Sequence, residues 1–103
     1  MRVEWSEKAE WNRDPIGDYI CERFGYKRME KYIEEVDQTI GMIMRTPNIG
    51  SIDPLFRDHP IAYRSVIINS LSKMVYYVQG DTIRIAAFWD TRQEPKTQAR
   101  QVT

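Results

Sequence analysis

The chain has 103 residues, of which 42% are hydrophobic and 29% are charged, and its 15 basic residues balance its 15 acidic ones. This is the composition of one globular domain, and it excludes general disorder and any whole-chain attraction to nucleic acid. The apolar runs are too short to cross a bilayer, the charged N-terminus lacks a signal-peptide core and the single Cys21 cannot form an internal disulfide. We therefore expect a cytoplasmic protein without membrane contact.

Two helices are predicted in the N-terminal half, after a short strand at residues 3–5. Ser6 can cap the first helix, and we expect Pro15 to break or bend that helix before Gly25 ends it. The second helix has the clearest pattern, because its apolar residues recur in steps of four and three and so form one stripe. These residues are Met29, Ile33, Val36, Ile40 and Ile43.

Three β-rich runs follow a polar, proline-containing loop, and they cover residues 62–69, 73–78 and 82–89. Gly80 and Asp81 form a tight hairpin link between the last two runs. The order β-α-α-β-β-β predicts an α+β fold, in which a helical hairpin covers one face of a small, mainly antiparallel sheet. We assign residues 1–95 to a single domain and residues 96–103 to a polar C-terminal tail.

The usual catalytic and metal-binding patterns are absent from the sequence, which has one histidine, one cysteine and no Gly-rich phosphate loop. We therefore expect neither a metal nor a cofactor. The β-half does carry cations among its aromatic residues, namely Arg57, Arg64, Lys73, Arg84 and Arg92. Cations and aromatic rings on one concave sheet surface would suit phosphate pairing and base stacking. A strand arginine is also commonly a solvated or salt-bridged residue, and both interpretations stay open.

Side-chain alternation along the last strand predicts which residues share a face of the sheet. One face would carry Ile83, Ile85, Ala87 and Trp89, and the other would carry Arg84, Ala86 and Phe88.

Several short motifs occur in a fixed order along the chain. They are VEWSEKAEW at the start, YKRMEKYIEEVDQTIGMIMRTPNIG with its Pro-x-x-Gly loop, the pair Tyr63-Arg64, and the hairpin KMVYYVQGDTIRIAAFWDTRQEP. Together they resemble the RelE/ParE superfamily of bacterial toxins from type II toxin–antitoxin modules. In that family the end of the chain supplies part of the functional surface, so the resemblance implies that Arg92 emerges from the last strand onto that surface.

The superfamily has two main branches with different targets. RelE-like toxins enter the ribosome and cleave mRNA without a metal, and their basic residues stabilise charge on the scissile phosphate. By position, the resemblance implies this role for Arg64, Lys73 and Arg92, and it places His59 of the RDHP motif beside them as an acid–base residue. ParE-like toxins share the framework but inhibit DNA gyrase and are not known as nucleases.

Two departures from the RelE pattern keep the second branch open. No tyrosine follows Tyr77, where RelE-like toxins have one near the C-terminus, and the chain has no net positive charge. Because all three basic positions are filled, we favour ribosome-dependent mRNA cleavage. The alternatives are gyrase inhibition and a degenerate, non-enzymatic module that only binds antitoxin.

The resemblance also implies a cognate antitoxin as partner, besides the ribosome and mRNA or gyrase. We expect the antitoxin to dock in the groove between the helices and the sheet, on exposed apolar residues such as Met29 or Tyr32. We further expect Arg64, Lys73 and Arg92 to converge on one exposed sheet surface, with His59 at its rim.

Overall fold

The computed structural model describes residues 1–70 and 72–91, and within them two helices pack on one face of a five-stranded sheet. Arg92, Pro95 and the predicted tail at residues 96–103 lie outside the described residues. The predicted α+β class and the order of the main elements are confirmed. The elements are β1 (Arg2–Trp5), α1 (Glu7–Phe24), α2 (Tyr26–Arg45), β2 (Ser51–Ile52), a 3-10 helix (Pro54–Phe56), β3 (Arg64–Ile68), β4 (Ser72–Gln79) and β5 (Thr82–Asp90).

The strands lie in the order β1-β5-β4-β3-β2. The first strand pairs in parallel with the last, Val3 lying opposite Ile83, and every other pairing is antiparallel. The two-residue strand β2 was not predicted, because a pair of residues is too short to show an alternating pattern. It extends the sheet beside β3 and leads directly into the 3-10 helix.

The ends of the two helices follow from their capping residues. The Oγ of Ser6 accepts a hydrogen bond from the Ala9 N–H at 3.0 Å, which satisfies one of the free donors of the first turn of α1. Gly25, at a φ of 95°, ends α1 and leads directly into α2. A side chain is strained at that φ, so glycine makes the sharp hairpin accessible.

Of the two effects expected of Pro15, a break in the first helix is wrong, and a bend stays a prediction. α1 runs from Glu7 to Phe24 with Pro15 inside it. Proline removes the hydrogen bond that would reach the carbonyl of Trp11, one turn earlier. Pro15 and Trp11 are both exposed, so water can hydrate that carbonyl and the helix continues at a local cost.

The sheet separates two hydrophobic clusters. The helices cover one face, where their apolar stripes meet Met74, Tyr76 and Phe88 of the central strands. The opposite face carries a second cluster, formed by Phe56, Tyr63, Val75, Ala87 and Trp89. Phe56 and Tyr63 belong to the segment between β2 and β3, which therefore covers the second face as part of the core.

A β-bulge in β5 changes which side chains share a face. Val75 pairs with Ala87 but Tyr76 pairs with Ile85, so Ala86 has no partner in the ladder. The predicted strict alternation is therefore wrong beyond Ile85. Phe88 packs with the helix-side cluster, and Ala87 and Trp89 pack on the opposite face. The Oγ of Ser6 donates to the Ala86 carbonyl at 3.0 Å and so satisfies the bulged residue.

Within the described part of the chain, neither helix is both long and apolar enough to span a bilayer.

Candidate functional site

Lys73 lies on β4 and faces the cluster on the side of the sheet away from the helices. Its Nζ is 2.7 Å from Oδ2 of Asp53 and 5.3 Å from the centre of the Trp89 ring. The Asp53 side chain is fully buried and that of Lys73 is 16% exposed. The angle at this contact lies outside hydrogen-bond geometry, so it is an ion pair. The charge of Lys73 is therefore matched inside the protein.

The carboxylate that holds Lys73 is positioned by the local sequence Asp-Pro-Leu. Asp53 caps the 3-10 helix, because its Oδ1 accepts the Leu55 N–H at 2.9 Å, and Pro54 occupies the first position, where no donor is needed. Its own N–H donates to the Tyr63 carbonyl at 2.9 Å. Sequence analysis missed Asp53, although an Asp followed by Pro at the start of a turn is a recognised capping signal.

Arg64 begins β3 and fastens the loop that follows α2. Its Nη1 donates to the carbonyl oxygens of Gly50, at 2.7 Å, and Asn48, at 3.4 Å. Tyr76 holds the same loop, since its hydroxyl donates to the Pro47 carbonyl at 2.8 Å and accepts the Gly50 N–H at 3.0 Å. A Cβ on Gly50 would lie 2.8 Å from that hydroxyl, so the close approach requires glycine.

Arg64 and Lys73 lie on opposite faces of the sheet, so the predicted convergence of these two cations is wrong. Arg64 pairs directly with Tyr76, and side chains of directly opposed residues share a face. Tyr76 and Lys73 are three residues apart on β4, an odd separation that places them on opposite faces. Arg92, the third predicted cation, lies outside the described residues. The residue before it, Thr91, donates its hydroxyl to the Ser70 carbonyl at 2.9 Å.

His59 lies in the segment that covers the Lys73 face. Its Nδ1 accepts the Ile61 N–H at 3.1 Å, and its ring stands edge-on to the rings of Phe56 and Tyr63. These contacts hold the segment together, so His59 has a structural role there. Its expected acid–base role stays a prediction.

Three buried tyrosines, Tyr32, Tyr63 and Tyr76, are held in the neutral form. Burial raises the pKa of Tyr32 to about 12, against the weaker opposing effect of a 2.6 Å hydrogen bond with the Ser72 hydroxyl. Burial likewise raises the pKa of Tyr63 and of Tyr76. None of these three side chains is therefore suited to act as a general base at neutral pH.

A groove lies between α1 and α2, beside Trp5 of β1. Its apolar lining includes Trp5, Met29, Ile33 and Ile40, and Asp14, Asp18 and Asp37 also line it. Met29 is half-buried there, and its expected role in docking the antitoxin stays a prediction. Tyr32 is only 1% exposed, so the expectation that it offers an exposed docking side chain is wrong. Ile33, at 48% exposure, presents the apolar surface instead.

Among residues 1–70 and 72–91, no group of three or more His, Cys, Asp or Glu side chains is placed to hold a metal ion.

Comparison with known protein families decides the relationship. A family model described as the ParE toxin of the type II toxin–antitoxin system parDE matches residues 3–95. The chain belongs to the ParE toxin family. The sequence resemblance to the RelE/ParE superfamily is thus confirmed. As a type II toxin, this ParE-family protein has an antitoxin as its partner.

Solved structures support the fold of this ParE-family toxin. A chain from the chromosomal ParDE TA system of P. aeruginosa is similar to it with a TM-score of 0.69 and 20% sequence identity. The similarity covers 87% of this chain and 95% of the other. The search of curated proteins gave no match.

Proposed function

We propose that this toxin arrests growth by inhibiting DNA gyrase and that it does not cleave mRNA. The observation that carries the proposal is the match of residues 3–95 to the ParE toxin family. Gyrase inhibition is the activity that the resemblance to ParE-like toxins implies. The sequence alone favoured mRNA cleavage because three basic positions were filled, and the family match supports the alternative instead.

The environment of two of those basic residues weighs against mRNA cleavage. A ribonuclease of the RelE type needs cations directed at one phosphate, where developing charge can be stabilised. Lys73 is paired with buried Asp53, and Arg64 donates to backbone carbonyls on the other side of the sheet. Both side chains therefore have roles in holding loops onto the sheet, and a shared phosphate site is not needed to account for them.

The two targets are distinguished by inducing the toxin in cells while its antitoxin is withheld. Plasmid supercoiling and gyrase-linked DNA breaks are followed together with primer extension on abundant mRNAs. We expect relaxed plasmid and DNA breaks with intact mRNA. Co-expression of the antitoxin should restore supercoiling and growth.

The Arg64→Ala and Arg92→Ala variants serve as the matched pair in this experiment. Rapid, codon-phased mRNA cuts by the wild type that both variants lose would overturn the proposal and identify an mRNA endoribonuclease. Soluble toxin that changes neither mRNA nor DNA topology, and leaves growth normal, would instead identify a non-enzymatic antitoxin-binding module.

A further inference from the structure

The reversal between α1 and α2 carries three cations and two aromatic rings in six consecutive residues, RFGYKR at 23–28. We propose that these six residues, the hairpin tip, bind single-stranded nucleic acid, with the cations on its phosphates and the rings stacked on its unpaired bases. The proposal goes beyond the proposed function, because it assigns the toxin a direct contact with nucleic acid that does not depend on gyrase.

The two aromatic residues of the hairpin tip are mostly exposed. Phe24, the last residue of α1, is 57% exposed, and Tyr26, the first residue of α2, is 62% exposed. The Phe24 ring stands edge-on to the Tyr19 ring, with 6.5 Å between the ring centres. Tyr26 makes no hydrogen bond or ring contact within the described residues. Internal packing therefore accounts for little of either ring, and more than half of each residue is available to a ligand.

The cations of the hairpin tip have little use inside the protein. Arg23 and Lys27 are exposed, and neither forms an ion pair or hydrogen bond within residues 1–70 and 72–91. Arg28 is held loosely, because its Nη1 lies 3.9 Å from Oε1 of Glu35 and has no hydrogen-bond partner in the described part of the chain. No acidic residue lies among the six positions, so the hairpin tip is locally positive on a chain whose net charge is zero.

The placement of these cations opposes the stability of α2. The first turn of α2 contains Lys27 and Arg28 and no acidic residue, and its N-cap Gly25 has no capping side chain. Cations are unfavourable there, because the amino end of a helix carries a partial positive charge. Lys31 is also exposed and lies one turn after Lys27, a spacing at which like charges repel. Departures from local rules without an internal gain are expected at functional surfaces.

The combination of side chains favours an unpaired nucleic acid strand as the ligand. Lys and Arg pair with phosphate oxygens, and aromatic rings stack on any base whose face is free. Base faces are covered in a duplex, so the rings can stack only on an unpaired strand. An anionic membrane would attract the same cations, but its binding depends on buried apolar area, and two rings on either side of a glycine provide little. Glu22 and Glu30 border the hairpin tip, so we expect the strand to cross it and not to follow either helix.

The role of the rings is tested by the fluorescence anisotropy of labelled oligothymidylate, about ten nucleotides long, titrated with the purified toxin at low salt. We expect Phe24→Ala/Tyr26→Ala to raise Kd by roughly tenfold to a hundredfold, because each stacked base contributes a factor of about ten. An abasic strand of the same length keeps the phosphates and lacks the bases, so its Kd should change by less than about twofold.

Trp11→Ala is the matched control for the rings, since it removes an exposed ring of α1 that lies more than three turns from the hairpin tip. It should leave the Kd for oligothymidylate within about twofold. Thermal unfolding verifies that each variant is folded. Tyr26→Ala alone removes a ring without internal contacts, and it replaces the double variant if loss of Phe24 unfolds the hairpin.

The role of the charge is tested with two double variants that remove the same net charge. Arg23→Gln/Lys27→Gln should raise Kd by roughly tenfold and lower the slope of log Kd against log salt concentration by about one. Arg45→Gln/Arg57→Gln removes exposed cations at the far end of α2 and in the segment on the opposite face of the sheet. This control should leave the slope unchanged and Kd within about twofold.

Unchanged Kd values in both double variants of the hairpin tip would overturn the proposal, as would equal losses in the two charge variants. Binding to vesicles of phosphatidylserine and phosphatidylcholine, with none to oligonucleotides, would assign the hairpin tip to a membrane surface and refute it. Oligouridylate is titrated in parallel. Binding of either strand through the hairpin tip supports the proposal, and the lower Kd identifies DNA or RNA as the preferred ligand. Toxin that binds a strand in this way but leaves gyrase active would refute the proposed function and not this inference.

Discussion

Half-buried Lys73 and exposed Arg84 are both strand cations with carboxylate partners, and their surroundings make their ion pairs contribute differently to stability. Lys73 pairs with fully buried Asp53, whereas Arg84 pairs with Glu4 at 2.6 Å with both side chains about 40% exposed (40% and 44%). Removing one member of a buried pair leaves an uncompensated charge in the interior, while a surface pair is weakened by solvent. Sequence analysis could not separate the two, because both residues alternate with apolar neighbours on a strand.

Lys73→Met should therefore destabilise the protein strongly. We expect the free energy of unfolding to fall by about 3–5 kcal/mol, because the Asp53 carboxylate stays buried without its partner. Arg84→Met, the matched surface change, should cost less than about 1 kcal/mol. Urea denaturation measures both values, and Asp53→Asn should recover part of the loss in the Lys73→Met background. Equal effects of the two single changes would contradict the structural role of Lys73.

The buried hydroxyl of Tyr32 makes stability depend on alkaline pH. Its pKa is raised from 10.0 to about 12 in the folded protein, so above pH 10 the unfolded chain loses this proton while the folded chain keeps it. Stability from this group is thus intact below pH 10 and declines as the pH rises toward 12, by at most about 1.4 kcal/mol per pH unit.

Tyr32→Phe should reduce this alkaline loss of stability, although it costs about 1–3 kcal/mol at neutral pH because the Ser72 hydroxyl loses its partner. Urea unfolding at pH 8 and pH 11 gives the loss of unfolding free energy between these pH values, and this loss is compared between Tyr32→Phe and the wild type. The Tyr26→Phe variant, at an exposed tyrosine, is the control and should behave as the wild type. An unchanged pH dependence in Tyr32→Phe would exclude Tyr32 as a source of the loss.

At the scale of elements, the regular patterns were predictable and the irregular ones were not. The stripe of α2 and the three β-rich runs correspond closely to observed elements, because burial of one face imposes the period on the sequence. The bulge at Ala86 carries no such signal, and it reassigns Phe88 to the helix side. The uninterrupted α1 also departs from local propensity, since packing of its buried face outweighs the cost of Pro15.

Pro15→Ala should stabilise the toxin without changing its structure. The substitution restores the hydrogen bond to the Trp11 carbonyl and removes a ring from the helix interior, so we expect a gain of about 1–3 kcal/mol. Pro54→Ala changes a proline at the first position of the 3-10 helix, where proline is favourable, and should be neutral or slightly destabilising. Urea unfolding measures both. A loss of stability in Pro15→Ala would show that the proline is favourable where it lies.

At the scale of the whole molecule, the fold could be predicted but the geometry of the site could not. Element order and motifs were sufficient to indicate the superfamily. The faces on which Arg64 and Lys73 lie depended on the strand register. Arg64 pairs with Tyr76, which is an odd number of residues from Lys73 on β4, so the two cations lie on opposite faces. Two of the cations that suggested a nuclease, Lys73 and Arg64, attach loops to opposite faces of the sheet.

The central claim, that the toxin acts on gyrase, is tested most directly with purified components. Supercoiling of relaxed plasmid by gyrase and ATP is followed while the toxin is titrated, with and without the antitoxin. The account predicts a dose-dependent loss of supercoiling that the antitoxin restores. The account would be contradicted if supercoiling stayed undiminished at a toxin excess over gyrase while toxin from the same preparation cut mRNA on translating ribosomes.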